Sequence, residues 1–218
     1  ETVYGEAKRL SALIDDFLDL EKIEAGGFTL SLESFDLAEV LRDQVEVFSG
    51  QAGAVLLSGH FGNVEVSAGA SGLAERLRRI RIVRFVGAND PNLAVMAHVP
   101  ATWRPTLIAV NSGEGFAALE IIRELRAGAV VAMLGDRTID QRRVRVQFLG
   151  HPVDLPAGPW LVAALARVPV IIVGNFKEGR DTYRMFASAP MEVRFERGRD
   201  RDEQVQAWAQ TYADQVAE

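Results

Sequence analysis

From residue 52 onwards, short apolar runs alternate with amphipathic segments, and this alternation constrains the fold more than any other feature. The runs that predict strands are AVLLSG, RIVRFVG, TLIAVN, AVVAML and the outlying VRVQFLG. Two further runs, PVIIVGNFKEG and TYRMFAS, are expected to pair through the turn at EGRD. Helical periodicity marks VEVSAGASGLAERLRRI, GEGFAALEIIRELRAG, PAGPWLVAALARV and DRDEQVQAWAQTYADQVAE. Gly128 is the predicted end of the second of these helices. This order predicts an α/β fold with a mixed, mostly parallel sheet flanked by helices. The charges of RIVRFVG favour an edge strand or a segment leading to the surface.

Residues 1–48 differ in charge from the remainder of the chain. They carry 12 acidic and 4 basic residues, whereas residues 49–218 carry 18 acidic and 20 basic residues. The glycine-rich SGQAGA marks the junction, so we predict a small helical segment at 1–48 and an α/β domain at 49–218. Apolar residues at spacings of three and four within residues 3–20 form a short heptad seam, which favours a homodimer.

Composition removes several classes of site. The chain has no cysteine, which excludes disulfides, thiolate nucleophiles and thiolate metal sites. His98 and His151 have no partners at metal-ligand spacing, so we predict no metal site. No secretory signal opens the sequence, and its longest apolar stretch is interrupted by Arg167 and Pro169. These features predict a cytoplasmic chain without a membrane span, and none indicates nucleic acid as a partner.

Two predicted strand ends carry the residues with catalytic potential. His60 follows the first strand, and Glu65 comes five residues later. A neutral imidazole can accept a hydroxyl proton near neutral pH, and a carboxylate can hold its tautomer. Asp136 and Arg137 follow the strand AVVAML, and the carboxyl ends of parallel strands meet at one edge of a sheet. The alternatives are a structural strand end at His60 and a salt bridge between Asp136 and Arg137.

Three motifs in order resemble the bacterial late acyltransferases of lipid A and related glycolipid synthesis, over about residues 50–190. LLSGHFGNVE is similar to that family's H-x4-E/D catalytic block, and AVVAMLGDR to its central strand and Asp-Arg block. VQFLGHPVDLPAGPWLVAALARVPVIIV is similar to its downstream block. The resemblance implies a glycerolipid-acyltransferase-like fold. It also implies transfer of a fatty acyl chain from an acyl carrier protein or CoA thioester to a hydroxyl of a lipid-linked sugar, as in lipid A biosynthesis.

The same resemblance implies roles for single residues. His60 is the general base and Glu65 orients it, with direct attack on the thioester and no covalent enzyme intermediate. No cofactor is implied beyond the acyl thioester co-substrate. The residues implied to bind substrate, or to position the turn at the active site, are Asn63, Asp136, Arg137 and Gly158.

A membrane surface is the expected location of the chain, peripheral to the inner membrane on its cytoplasmic side. The arginine cluster at 76–84 favours contact with anionic lipid or an acidic carrier protein. A solvated helix face is the alternative interpretation of this cluster.

The segment RLSALIDDFLDLEKIEAGGFTLSLESFDLAEVLRDQV resembles sensor histidine kinases, where the dimerisation hairpin enters the ATP-binding domain. A phospho-acceptor histidine, an asparagine box and an ATP lid are missing, so a dimerisation remnant is implied. The segment stands where the acyltransferases usually have a membrane anchor, and their aromatic C-terminal ending is missing. We therefore expect a chimeric chain, and these departures leave its activity open. The alternative function is a non-catalytic dimerisation or signalling fragment fused to an inert α/β body.

Overall fold

The computed structural model describes residues 53–60, 80–86, 106–111, 116–138, 142–177 and 183–217. Within these ranges the strands are β1 Ala54–Ser58, β2 Ile80–Arg84, β3 Thr106–Ala109, β4 Val130–Leu134, β5 Arg143–Phe148, β6 His151–Pro156, β7 Val170–Lys177 and β8 Tyr183–Ala187. The helices are α1 Phe116–Arg126, α2 Gly158–Ala166 and α3 Arg201–Ala217. The predicted helical segment at 1–48, with its dimer seam at 3–20, lies outside the described residues.

Among the described strands, six form the central sheet in the order β3-β2-β4-β1-β7-β8. β1 pairs in parallel with β4 and β7, and β2 pairs in parallel with β3 and β4. β8 runs antiparallel to β7, as expected from the turn signal between them. The prediction of a mixed, mostly parallel sheet flanked by helices is confirmed.

β1 is a central strand with apolar side chains on both faces. Val55 and Leu57 are fully buried in the main core, together with residues of the three described helices. Ala54 and Leu56 are buried in a second, smaller cluster. A parallel strand covered on both faces requires such a continuous apolar run. β1 therefore forms a rigid base for the residues that follow it.

β2 lies between β3 and β4, so the prediction of an edge strand is wrong. α1 accommodates the charge of this inner strand, because Arg81 Nε donates a hydrogen bond of 2.9 Å to Glu124 Oε2. Hydrogen bonds from Arg81 and Arg123 hold the pKa of Glu124 below its usual value. A strand with charged residues can occupy the interior of the sheet when a neighbouring helix supplies the opposite charge.

β5 was predicted as an outlying strand, and it forms a separate antiparallel pair with β6. The sequence patterns do not predict β6, because the segment contains two prolines. The register pairs Pro152 with Gln147 and Pro156 with Arg143. Both prolines occupy positions where the backbone nitrogen of β6 faces away from β5, so no ladder hydrogen bond is lost.

Two glutamines of α3 cover the outer edge of β5. Gln210 Oε1 accepts a hydrogen bond from the N–H of Gln147, and Gln210 Nε2 donates to the carbonyl oxygen of Gln147. One turn earlier, Gln206 Nε2 donates to the carbonyl oxygen of Arg145. These side chains satisfy the backbone of an otherwise open strand edge and align the hairpin along α3.

Helix ends follow local signals. Gly128, with a φ of 86°, comes just after α1, as predicted. Asp200 caps α3, because its Oδ1 accepts hydrogen bonds from the N–H groups of Asp202 and Glu203. None of the described helices is long and apolar enough to cross a membrane.

Candidate active site

Two parallel strands end side by side and bring His60 close to Asp136. β1 and β4 pair in register, with Ser58 opposite Leu134. His60 lies two residues beyond the end of β1, and Asp136 two residues beyond the end of β4. Because both strands run in the same direction, the two side chains emerge at the same edge of the sheet. The expected juxtaposition of these strand exits is present.

His60 and Asp136 contact each other through both backbone and side chain. The N–H of His60 donates a hydrogen bond of 3.0 Å to Oδ2 of Asp136. The Nδ1 atom of His60 lies 3.0 Å from each carboxylate oxygen. A carboxylate accepts hydrogen bonds, so it selects the tautomer with the proton on Nδ1. In this tautomer Nε2 carries a lone pair and can accept a proton.

The pair is partly open to solvent. The side chains of His60 and Asp136 are 39% and 28% exposed. A substrate hydroxyl can therefore approach the ring, while the carboxylate remains bound to its other nitrogen. Truncation of His60 should remove little core packing, because the ring lies outside the buried clusters.

The carbonyl oxygen of Ser58 links β1 to the residue after β4 and to α3. It accepts a hydrogen bond of 2.7 Å from the N–H of Gly135 and one of 3.1 Å from the hydroxyl of Tyr212. Burial and the negative charge of Asp136 raise the pKa of Tyr212, which therefore remains a neutral donor. Tyr212 also packs edge-on against Trp160 of α2, with ring centroids 6.2 Å apart. The last helix is thus tied to the strand exits that carry the site.

Gly135 permits the close approach of these strand exits. A Cβ atom at this position would lie 2.9 Å from Cδ1 of Leu57 and 3.3 Å from Cζ of Tyr212. The first distance is shorter than ordinary van der Waals contact allows, so a larger residue would force either the Leu57 side chain or the strand exit to shift. Sequence reasoning missed both Gly135 and Tyr212. The GDR motif was the available signal for Gly135, whereas no local signal identifies Tyr212, which is 154 residues from Ser58.

Of the other predicted site residues, two are described by the structure and two are not. Arg137 is exposed directly after Asp136. Gly158 begins α2, where Ala157 is the N-cap without a side-chain hydrogen bond. Asn63 and Glu65 lie outside the described residues, so their predicted roles stay predictions. The orienting role predicted for Glu65 has, in the structure, a second candidate in Asp136.

This geometry would suit a general base, because the ring is held by one of its nitrogens. Asp136 fixes the tautomer of His60 and would stabilise the imidazolium that forms when Nε2 takes a proton. Among the described residues, no group of three histidine, aspartate or glutamate side chains is placed to hold a metal ion. The arrangement of His60 and Asp136 suits activation of a hydroxyl group.

Comparison with known proteins identifies a family that matches most of the chain. A family model described as "bacterial lipid A biosynthesis acyltransferase" matches residues 42–218. The matched region includes His60, Asp136 and every described helix and strand. No curated protein matches the chain.

Proposed function

Because the chain belongs to the bacterial lipid A biosynthesis acyltransferase family, we propose that it acylates a hydroxyl group of a lipid-linked sugar. The acyl donor is a thioester of acyl carrier protein or CoA, and no other cofactor takes part. Membership of the family supports acyl transfer in general. The donor, the acceptor and a location peripheral to the inner membrane belong to the proposal.

The proposed reaction starts with proton removal by His60. Nε2 takes the proton of the acceptor hydroxyl as its oxygen attacks the thioester carbonyl carbon. The new ester C–O bond forms, the C–S bond breaks, and the proton on His60 passes to the departing thiolate. Atoms and charges balance without a covalent enzyme intermediate. Asp136 stabilises the ring while it carries the additional proton.

The observation that carries the proposal is the contact between His60 and Asp136. Nδ1 lies 3.0 Å from both carboxylate oxygens, and the backbone N–H of the same histidine binds that carboxylate. A histidine that only ended a strand would need no such double attachment. The partial exposure of the pair supports a reactive role, because a substrate must reach Nε2.

Two carboxylates compete for the orienting role in this proposal. Asp136 contacts the ring, and Glu65 is the residue that the sequence motif implies. Asp136→Asn and Glu65→Gln variants distinguish them, since an amide can hold the ring but cannot stabilise its cation. We expect the larger loss of kcat for Asp136→Asn.

An acyl-transfer assay tests the proposal. The wild type is incubated with thioesters of acyl carrier protein or CoA and a lipid-linked sugar acceptor, and ester formation is measured. His60→Ala should lower the rate by roughly 10²–10⁴-fold, the usual contribution of general acid–base catalysis. Its melting temperature should remain close to that of the wild type.

The control is Glu192→Ala, which removes an exposed side chain next to Met191, the bridge partner of Val170 at the start of β7. This variant should retain full activity. The proposal is wrong if the wild type forms no ester with either donor, or if His60→Ala retains wild-type activity. A large loss of stability in His60→Ala would instead favour a structural role for the ring.

A further inference from the structure

The turn between β5 and β6 holds a residue that is poorly suited to it. The loop consists of Leu149 and Gly150, with φ values of 50° and 81°. Two-residue hairpin loops with positive φ at both positions are type I′ turns, in which Asn-Gly and Asp-Gly are strongly preferred. A bulky residue such as leucine is an outlier in the left-handed region, because its Cβ atom crowds the backbone.

The same leucine is exposed to solvent. Its exposed fraction is 67%, and the following residues, Gly150, His151 and Pro152, are exposed as well. Leu149 therefore adds little to the core, and its backbone conformation is costly. Strained positions of this kind concentrate where a residue serves a function. An apolar tip without a carboxylate is suited to a contact outside the chain.

One face of the hairpin carries two arginines and one aspartate, because Arg143, Arg145 and Asp154 occupy positions on the same side of the β5–β6 pair. Arg145 binds Asp154 through two hydrogen bonds, whereas Arg143 lies at 4.0 Å from the same carboxylate. Both arginine side chains are exposed. Among the described residues of the hairpin, one carboxylate faces two arginines, so this face can attract phosphate groups.

The hairpin tip lies toward the end of α3 that is nearer the candidate active site. Gln206 of α3 contacts Arg145 of β5, and Gln210, one turn later, contacts Gln147, which is nearer the tip. Gln210 is two residues before Tyr212, so the two residues lie about 3 Å apart along the helix axis and project from nearly opposite sides of α3. Tyr212 in turn binds the carbonyl oxygen of Ser58 at the exit of β1.

We propose that the β5–β6 hairpin docks the protein on an anionic lipid surface. Leu149 enters the boundary between headgroups and acyl chains, and the face that carries Arg143 and Arg145 binds headgroup phosphates. The choice of lipid as the partner rests on the proposed function, whose acceptor is lipid-linked. Docking through this hairpin keeps the site near the surface where that acceptor resides.

Vesicle binding by the full chain tests this proposal without any acyl transfer. The probe is co-sedimentation with vesicles of phosphatidylglycerol and phosphatidylcholine. Leu149→Asn should weaken binding by about 10- to 100-fold, the partition factor for burial of a leucine side chain. The same change should raise the melting temperature by about 2–4 °C, because asparagine suits the turn. A leucine retained for stability would give the opposite sign of thermal shift.

Leu119→Asn is the matched control, since Leu119 is also 67% exposed but lies on α1. It should bind vesicles like the wild type. Arg143→Gln should weaken binding to the anionic vesicles and leave binding to pure phosphatidylcholine unchanged. Wild-type binding by Leu149→Asn, or an equal loss in Leu119→Asn, overturns the proposal. Either of these results leaves the proposed acyl transfer untouched. If the chain forms no ester but still binds vesicles through the hairpin, only the proposal of acyl transfer is overturned.

Discussion

Replacement of Tyr212 by Phe should change how the stability of the protein depends on alkaline pH. Burial and the charge of Asp136 raise the pKa of Tyr212 in the folded state above the value of about 10 expected in the unfolded chain. Below that value both states hold the phenolic proton, so this group gives no pH dependence. Above it the unfolded state releases the proton first, and stability falls by up to about 1.4 kcal/mol per pH unit.

The perturbation also removes the hydrogen bond between Tyr212 and the carbonyl oxygen of Ser58. That oxygen keeps the N–H of Gly135 as a donor, so the loss near neutral pH should be only about 0.5–1 kcal/mol. Urea unfolding of the wild type and of Tyr212→Phe, followed by tryptophan fluorescence from about pH 8 to about pH 11, gives the free energy of unfolding of each protein. The wild type should be more stable at the lower end, and its advantage should shrink and then reverse as pH rises. Two curves that stay parallel above about pH 10 would refute this reasoning.

Three other substitutions test the packing of the sheet and the start of α2. Gly53→Ala should lower the free energy of unfolding by about 1–3 kcal/mol in urea titrations, because its Cβ would overlap two backbone carbonyl oxygens; an unchanged midpoint would contradict this. Gly158→Ala should preserve the melting temperature, since an added Cβ meets no described atom within 4 Å. It should lower kcat/KM if substrate approaches this backbone as predicted. Full activity of the variant would show that Gly158 is not part of the site. Glu124→Gln should lower stability at neutral pH by roughly 0.2–1 kcal/mol, the range for partly exposed ion pairs. Because the pKa of Glu124 is lowered on folding, the difference from the wild type should shrink as pH falls below the unfolded value of 4.5 and disappear below the lowered folded value. A difference that does not shrink in this way would be inconsistent with the ion pair to Arg81.

The sequence was sufficient to predict those features of the fold that depend on local patterns or on the direction of the strands. The apolar run of β1 and the turn residues after β1 and β4 predicted that His60 and Asp136 would share an edge, because parallel strands end together. The pairing of β7 with β8 followed from a turn signal between two apolar runs. These predictions needed no knowledge of distant contacts.

The remaining features depend on partners far away in the chain. The inner position of β2 depends on Glu124, which is 43 residues from Arg81. The strand β6 depends on a register that places both of its prolines at positions without ladder hydrogen bonds. The support that Tyr212 gives to the exit of β1 spans 154 residues. Local periodicity carries no information on such contacts, so sequence patterns could not predict them.

The central claim is that His60 and Asp136 act as one catalytic unit in acyl transfer. A double-mutant cycle tests it most directly, with kcat/KM measured for the wild type, His60→Ala, Asp136→Asn and the double variant. If the carboxylate acts through the ring, the double variant should be no slower than His60→Ala, although Asp136→Asn alone is impaired. The claim is contradicted if the two losses multiply in the double variant, or if Asp136→Asn is as active as the wild type.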